Sequence, residues 1–419
     1  MTVKKLMIIA CLSITMLFAG SYYFNRLTED PIEEGSCILI AEASSSKTAF
    51  FSFSVKRDNN NLLYLEKNKI ADHSHYTVLG ARADEYANAL NNKTAAQYVD
   101  DVLFNKTILD HIQNSSCQKF HWALLSTGGM RNKVSKNNST KFYDKISMLF
   151  KEQKPMCLSD QNCKKIILKK IKTITGAKEG RFAWLTVNKI KNISSFAITD
   201  VGGETMQFAD KSQSYSWSLG IDRALRELSS NQSCHRSKHK TLITYDGEKC
   251  RNSIEKFLDT YDLVQINYDD YDKIFGISNF SFYFYTLCDT YFADVKSRDL
   301  IISEPIYKQI SNICKMHERK EQFEIQISAY KEISDAVCNH TNKNWDLNDK
   351  KYAFVDRMCL VGNYNYSLLK KMDLKSHHSH HIIPHDHGLE QEEGKDRIYI
   401  NDFAWDTGAA QELLEGKID

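Results

Sequence analysis

Apolar runs that break into short polar turns recur along this chain. The run Phe196-Ala197-Ile198 leads into Thr199-Asp200-Val201-Gly202-Gly203-Glu204-Thr205-Met206-Gln207, which predicts a buried strand ending in a tight turn. Nearer the N-terminus, Cys37-Ile38-Leu39-Ile40 leads into Ala41-Glu42-Ala43-Ser44-Ser45-Ser46-Lys47-Thr48. The aromatic stretch Ala49 to Val55 follows, so the pattern predicts strand, small-residue hairpin turn, strand. Trp122-Ala123-Leu124-Leu125 predicts a further strand, ending in Ser126-Thr127-Gly128-Gly129-Met130-Arg131. From Ile174 the spacing changes: Phe182, Leu185 and Ile190 recur at helical intervals, so a helix opens after Gly176.

The first two devices share a design, an acidic residue closing a strand before a hydroxyl-rich turn. Gly202 and Gly203 remove the Cβ barrier to positive φ, so their amides can close on an anion. Asp200 is placed to face a metal ion, and Thr205 and Gln207 to orient a water. Ser45, Ser46 and Thr48 with their amides are suited to gripping a phosphate, with Lys47 as a point charge. Each motif alone also fits an ordinary turn. Thr127 is a further phosphate donor; Arg131 suits either a phosphate or a helix cap. Glu179 suits the positive end of its helix, although Gly176 and Gly180 around it argue for something tighter than an ordinary first turn. A duplicated fold would set the two turns face to face across a cleft with a triphosphate between them, as in the actin and RNase H-like phosphotransferases.

Length and composition narrow the class. A chain of 419 residues is long enough for two domains, and 42% hydrophobic with 26% charged residues is a globular balance. A net charge of +2 gives no electrostatic footprint for nucleic acid. Residues 1–28 hold Lys4 and Lys5 before a long apolar run, which reads as a signal peptide or an N-terminal membrane anchor. Eleven cysteines, one of them in that leader, fit disulfides in an oxidising compartment. The short pairs Cys157/Cys163, Cys234/Cys250, Cys288/Cys314 and Cys338/Cys359 are candidates, with connectivity open. Ten Asn-x-Ser/Thr sequons, from Asn92 to Asn365, are compatible with glycosylation. The histidine-rich stretch from His377 to His387 reads as an exposed loop. The segment Phe280 to Tyr285 reads as either core or a nucleobase platform, with Phe282 and Tyr283 nominated for the base.

Four of these stretches, in order, resemble the apyrase-conserved regions of the nucleoside triphosphate diphosphohydrolases. Glu42 to Thr48 is similar to D-A-G-S-S-x-T, and Thr127 to Arg131 to T-A-G-M-R. Lys178 to Asn188 is similar to E-E-G-x-x-G-W-x-T-x-N, and Asp200 to Gln207 to D-L-G-G-A-S-T-Q. Weaker echoes occur at Tyr215 to Gly220, at Phe280 to Tyr285 and at Phe403 to Ala410. The departures are Glu42 for Asp, Ser44 for Gly and Glu204 for a small residue.

The resemblance implies an α/β, two-lobed actin-like (RNase H-like, ASKHA superfamily) fold with a nucleotide cleft. Residues 37–175 and 395–419 would form the first lobe and 176–394 the second. It implies Glu179 as the general base and Thr205 and Gln207 as water-orienting groups. Ser45, Ser46, Lys47, Thr48, Thr127, Arg131, Gly202 and Gly203 would hold phosphates. Glu42 and Asp200 would hold Mg²⁺ or Ca²⁺ through water. The implied function is a secreted or membrane-anchored, metal-dependent hydrolase of nucleoside tri- and diphosphates. Its rivals are an exopolyphosphatase or guanosine pentaphosphate phosphatase, and a degenerate nucleotide-binding or host-interaction protein.

Overall fold

The structure is a computed structural model. It describes residues 30–44, 47–68, 70, 76–79, 81–89, 93–152, 156–157, 163–191, 195–228, 247–288, 304–319, 322–339, 357–374, 378–383 and 405–418. The leader lies outside these residues. Among the described residues no helix is long and apolar enough to cross a membrane.

Two mixed sheets organise the chain. The first holds β1 (Cys37–Ala43), β2 (Thr48–Arg57), β3 (Leu63–Asn68), β4 (Tyr76–Leu79), β5 (Lys119–Ser126), β6 (Met156–Cys157) and β7 (Cys163–Thr173). Its order is β3-β2-β1-β5-β7-β6, with β4 also on β2. The second holds β8 (Phe196–Val201), β9 (Met206–Ala209), β10 (Ser214–Trp217), β11 (Lys273–Ser278), β12 (Phe323–Gln326) and β13 (Ser379–Ile382), ordered β10-β9-β8-β11-β13-β12.

The two orders are one pattern used twice. A three-stranded antiparallel meander comes first. Two strands then add in parallel beside its first strand, and an antiparallel edge strand closes the row. β1 and β8 are therefore equivalent, and both are buried along nearly their whole length, as central strands covered on both faces must be.

Three apolar clusters hold this framework. One covers the outer face of each sheet, and a third lies between the sheets. The middle cluster takes Ile38, Ile40 and Phe51 from the first sheet and Ile198 and Phe275 from the second. Between them run the helices Gly176–Lys191, which supplies Phe182 and Val187, and Asp406–Leu414, which supplies Ala409 and Leu413. Full burial of side chains such as Ile198 and Phe182 is worth roughly 1.5–3 kcal/mol each. The two helices cross in close contact: a Cβ on Gly408 would stand 2.1 Å from the Phe182 carbonyl oxygen, and the Gly408 amide donates to Thr186 Oγ1 at 2.9 Å.

The candidate pairs Cys288–Cys314 and Cys338–Cys359 form disulfides, and a further one joins Cys37 to Cys117, 80 residues away, which no short spacing pointed to. Two expectations change. The sequons at Asn279 and Asn365 are closed to glycans, because both asparagines are buried and Asn279 Nδ2 donates to Asn365 Oδ1 at 3.1 Å. The histidine stretch is not all loop: Ser379–Ile382 is β13, and His380 is buried between Thr199 and Tyr330. Alternation places His380 and Ile382 on the buried side. His377, His385 and His387 lie outside the described residues.

Candidate functional site

The site assembles where equivalent strands of the two sheets end. Glu42 is the penultimate residue of β1, and Asp200 is the penultimate residue of β8. Each strand turns back through four residues closed by the same bond: Ser44 N donates to Lys47 O and Gly202 N to Thr205 O, both at 2.9 Å. Glu42 lies opposite Ala49, and Asp200 opposite Gln207. Paired residues in a ladder point to one face. Gln207 Nε2 accordingly reaches Thr205 Oγ1 at 2.8 Å on the face that carries Asp200.

A third strand end adds to these two. β5 closes at Ser126, the Thr127 amide donates to Ala43 O at 3.1 Å, and the short helix Gly128–Lys133 follows. Gly128 abuts the 202–205 turn, where an added Cβ would meet Glu204 Cβ at 3.0 Å and Thr205 Oγ1 at 3.3 Å. From this helix Arg131 donates to Ile174 O at 2.6 Å and to Glu179 Oε2 at 2.9 Å, and its second amino group lies 3.4 Å from Thr205 Oγ1. Glu179 sits in the first turn of Gly176–Lys191, where the helix dipole favours an anion. The glycines around it allow close seating. A Cβ on Gly176 would stand 1.9 Å from Ser216 Oγ, and one on Gly180 would stand 2.6 Å from Ser214 Oγ and 3.0 Å from Gln207 Cβ.

Electrostatics tie the carboxylates together. Burial pushes Glu179 up to about 7; Arg131 pulls it back, while Asp200 and Glu42 add to the rise. Burial likewise takes Glu42 up to about 7, opposed by Lys47 and by a hydrogen bond from Trp405, and assisted by Asp406 and Asp200. Burial raises Asp200 to about 6, against a hydrogen bond from Ser278. Asp200 Oδ1 is buried and has no hydrogen-bond partner. Three mutually repelling acids in one dry place are held there by the fold rather than by their own attraction.

Several expected residues fall elsewhere. Thr48 is not at the site: it lies opposite Ala43, on the outer face of the sheet, where its hydroxyl meets Ala81 O and Tyr98 Oη, each at 2.9 Å. The amide of Gly202 is used by its own turn, and neither Gly202 nor Gly203 has a positive φ. Close approach is needed instead at Gly220, whose Cβ would lie 2.3 Å from the Gly203 and Glu204 backbone. Ser44 also lacks a positive φ, so the serine there carries no backbone strain. Tyr283 is fully buried in the outer core of the second sheet, packed against Phe284, and does not face a base. Phe282 is half-buried and stacks on Tyr285 with ring centroids 6.3 Å apart. Ser45 and Ser46 lie outside the described residues.

Other residues at the site were not expected. Ser278, the last residue of β11, bonds Asp200 and adopts φ 54°, a rare conformation for a residue with a Cβ. Asp406 is fully buried near Glu42, with Lys67 Nζ 3.7 Å from its Oδ2. A lone acid among small and apolar residues, as in Trp405-Asp406-Thr407-Gly408-Ala409-Ala410, is the signal that marks it.

This duplicated pair of sheets, with two helices between them, is a two-lobed actin-like α/β fold. The chain shares that fold with a Ppx/GppA family member from Aquifex aeolicus, at a TM-score of 0.52 and 10% identity, covering 92% of this chain and 99% of that one. It shares it equally with a nucleoside triphosphate hydrolase from Neospora caninum, at a TM-score of 0.51 and 12% identity, covering 97% of each chain. No protein-family model and no curated protein matches the sequence.

Proposed function

We propose that this protein is a metal-dependent hydrolase of phosphoric anhydrides that removes terminal phosphates from nucleoside tri- and diphosphates. One observation carries the reading: Glu179, Arg131, Thr205, Gln207, Asp200 and Glu42 converge where the two equivalent strand ends meet. A base poised near neutrality beside a hydroxyl–amide pair is the equipment for activating a water. Glu179 accepts the proton of the attacking water, which Thr205 and Gln207 orient. A bond forms from water oxygen to the terminal phosphorus as the anhydride bond breaks. Lys47, Arg131 and Thr127 bind the phosphates.

Among the described residues no group of three or more His, Cys, Asp or Glu is arranged to hold an ion directly. The buried, partnerless Asp200 Oδ1 does fit a hydrated Mg²⁺ or Ca²⁺, with Glu42 as the second carboxylate. When bound, the ion would neutralise phosphate charge. We read the first lobe as 37–175 with the returning segment 395–419, and the second as 176–394. We read the leader as placing the protein outside the cytoplasm, secreted or anchored. The disulfides accord with that compartment.

Release of inorganic phosphate from ATP, ADP and polyphosphate, with and without divalent ion, tests the reading. Ion-dependent release from both nucleotides is expected. Release from polyphosphate alone would shift the protein to exopolyphosphatase chemistry, the rival reading. No release at all would leave only a binding role. Glu179→Gln should keep its circular dichroism and lose roughly 10²–10⁴-fold in kcat.

A further inference from the structure

Glu204 stands between Gly203 and Thr205 in the second turn, and its carboxylate is 97% shielded, with 3% exposure. It binds two cations from different elements. Lys133 Nζ reaches Oε1 at 2.8 Å from the end of the helix that carries Arg131. Arg226, on the helix Ile221–Glu227, is bidentate, with Nη1 to Oε1 at 2.9 Å and Nη2 to Oε2 at 2.7 Å. Arg82 lies near enough for its charge to act on the same carboxylate. Burial alone disfavours the charge on Glu204; the bonds from Arg226 and Lys133 more than offset that, and its carboxyl lies below the ordinary value. A planar guanidinium fork on two oxygens is the geometry by which proteins hold phosphate as well as carboxylate. In this fold the two cations beside the candidate phosphate site are thus already matched to an oxyanion of the protein's own.

We propose that Glu204 is a specificity-determining residue that occupies Lys133 and Arg226 and so limits how much phosphate charge the site accepts, favouring nucleotide substrates over the more highly charged inorganic polyphosphates. The proposal rests on the hydrolase reading above. With Glu204 in place, an extra phosphate meets two cations already partly neutralised by the carboxylate between them. Without it, the same phosphate meets two cations.

The test is Glu204→Ala with the wild type and the double variant Glu204→Ala/Arg226→Gln. KM for ADP, ATP and inorganic tripolyphosphate is measured at low and high salt. Calorimetric binding of tripolyphosphate to each protein is measured in parallel. In Glu204→Ala, KM for tripolyphosphate should fall on the order of tenfold, more than for ATP and more again than for ADP, with a steeper salt dependence. The double variant should lose most of that gain. A purely structural role would move all three substrates alike and would not be reversed by Arg226→Gln; that result, or an unchanged order of KM values, overturns the proposal. If the wild type releases phosphate from nothing, the hydrolase reading fails by itself. The calorimetric arm then decides alone: unchanged tripolyphosphate affinity in Glu204→Ala overturns the proposal, and tighter binding supports it.

Discussion

The turns 44–47 and 202–205 occupy equivalent places in the two sheets and share one closing bond, yet they carry different chemistry. Position by position, Glu42 corresponds to Asp200, Lys47 to Thr205, Thr48 to Met206 and Ala49 to Gln207. The first turn thus offers a cation where the second offers a hydroxyl, and a methyl where the second offers an amide. Thr48 and Met206, side by side in this correspondence, both point into the outer cores. One backbone carries two sets of side chains: on the proposed function the second turn would position a water and the first would meet phosphate charge. The Arg131–Glu179 pair ties the helix after β5 to the helix Gly176–Lys191, with Arg131 also 3.4 Å from Thr205 Oγ1 of the second turn.

The largest effect expected from breaking this comparison comes from its two acids. Asp200→Asn should lower ion-dependent kcat on the order of 10²–10³-fold, since Oδ1 is the buried acceptor left for a hydrated ion. Glu42→Gln should cost less, because Trp405 already shares its carboxylate. Equal losses would show that the halves are not specialised. Without divalent ion, Asp200→Asn should also stabilise the fold. The folded pKa of about 6 lies above the ordinary value of 3.8, so the folded state binds the proton more tightly. Its contribution to stability therefore falls as pH rises from about 4 through 6, by a few kcal/mol at most. A higher Tm for the variant at pH 8, shrinking toward pH 4, is the expected record.

A smaller effect concerns the bridge between the halves. On the proposed mechanism Glu179 would serve as base only when ionised, so kcat/KM should rise with pH through about 7. Arg131 favours the ionised form; without it the carboxyl holds its proton to higher pH. In Arg131→Met the limb should therefore move to alkaline pH by roughly one unit. A pH profile that stays in place while activity falls would mean that Arg131 acts on phosphate and not on the base.

Much of this was legible before any coordinates. Continuous apolar runs ending in small polar residues marked β1, β5 and β8, because central strands need no alternation. Glu42 and Asp200 followed from acids at the ends of such runs, whereas Glu179, in the first turn of a helix, was singled out by the glycines around it and by the family resemblance. What could not be read was direction within elements that are apolar on both sides. β2 carries Phe50 on the outer face and Phe51 and Phe53 on the inner one, so alternation says nothing about where Thr48 points. The helix Asn279–Thr286 has the same trouble, although helical spacing groups Phe280, Tyr283, Phe284 and Leu287 on its buried side and leaves Phe282 and Tyr285 half-covered. The sequence marks Asp406 as a lone acid among small and apolar residues, but its place beside Glu42, hundreds of residues away, shows only in the tertiary packing.

The smallest effect separates the two threonines that flank these turns. Thr48 Oγ1 is tied to Ala81 O and Tyr98 Oη, so Thr48→Val leaves both without their partner and should cost on the order of 1–3 kcal/mol in stability. KM and kcat should stay at wild-type values, because that hydroxyl lies on the far face of the sheet from Glu42. Thr205→Val removes a hydroxyl bonded to Gln207 on the site side, so it should lower kcat severalfold while shifting Tm little. Urea unfolding and steady-state kinetics on both variants sort the two. Should Thr48→Val weaken substrate binding with stability intact, the correspondence of Thr48 with Met206 is mistaken, and the first turn holds its substrate through a residue that this fold turns away from it.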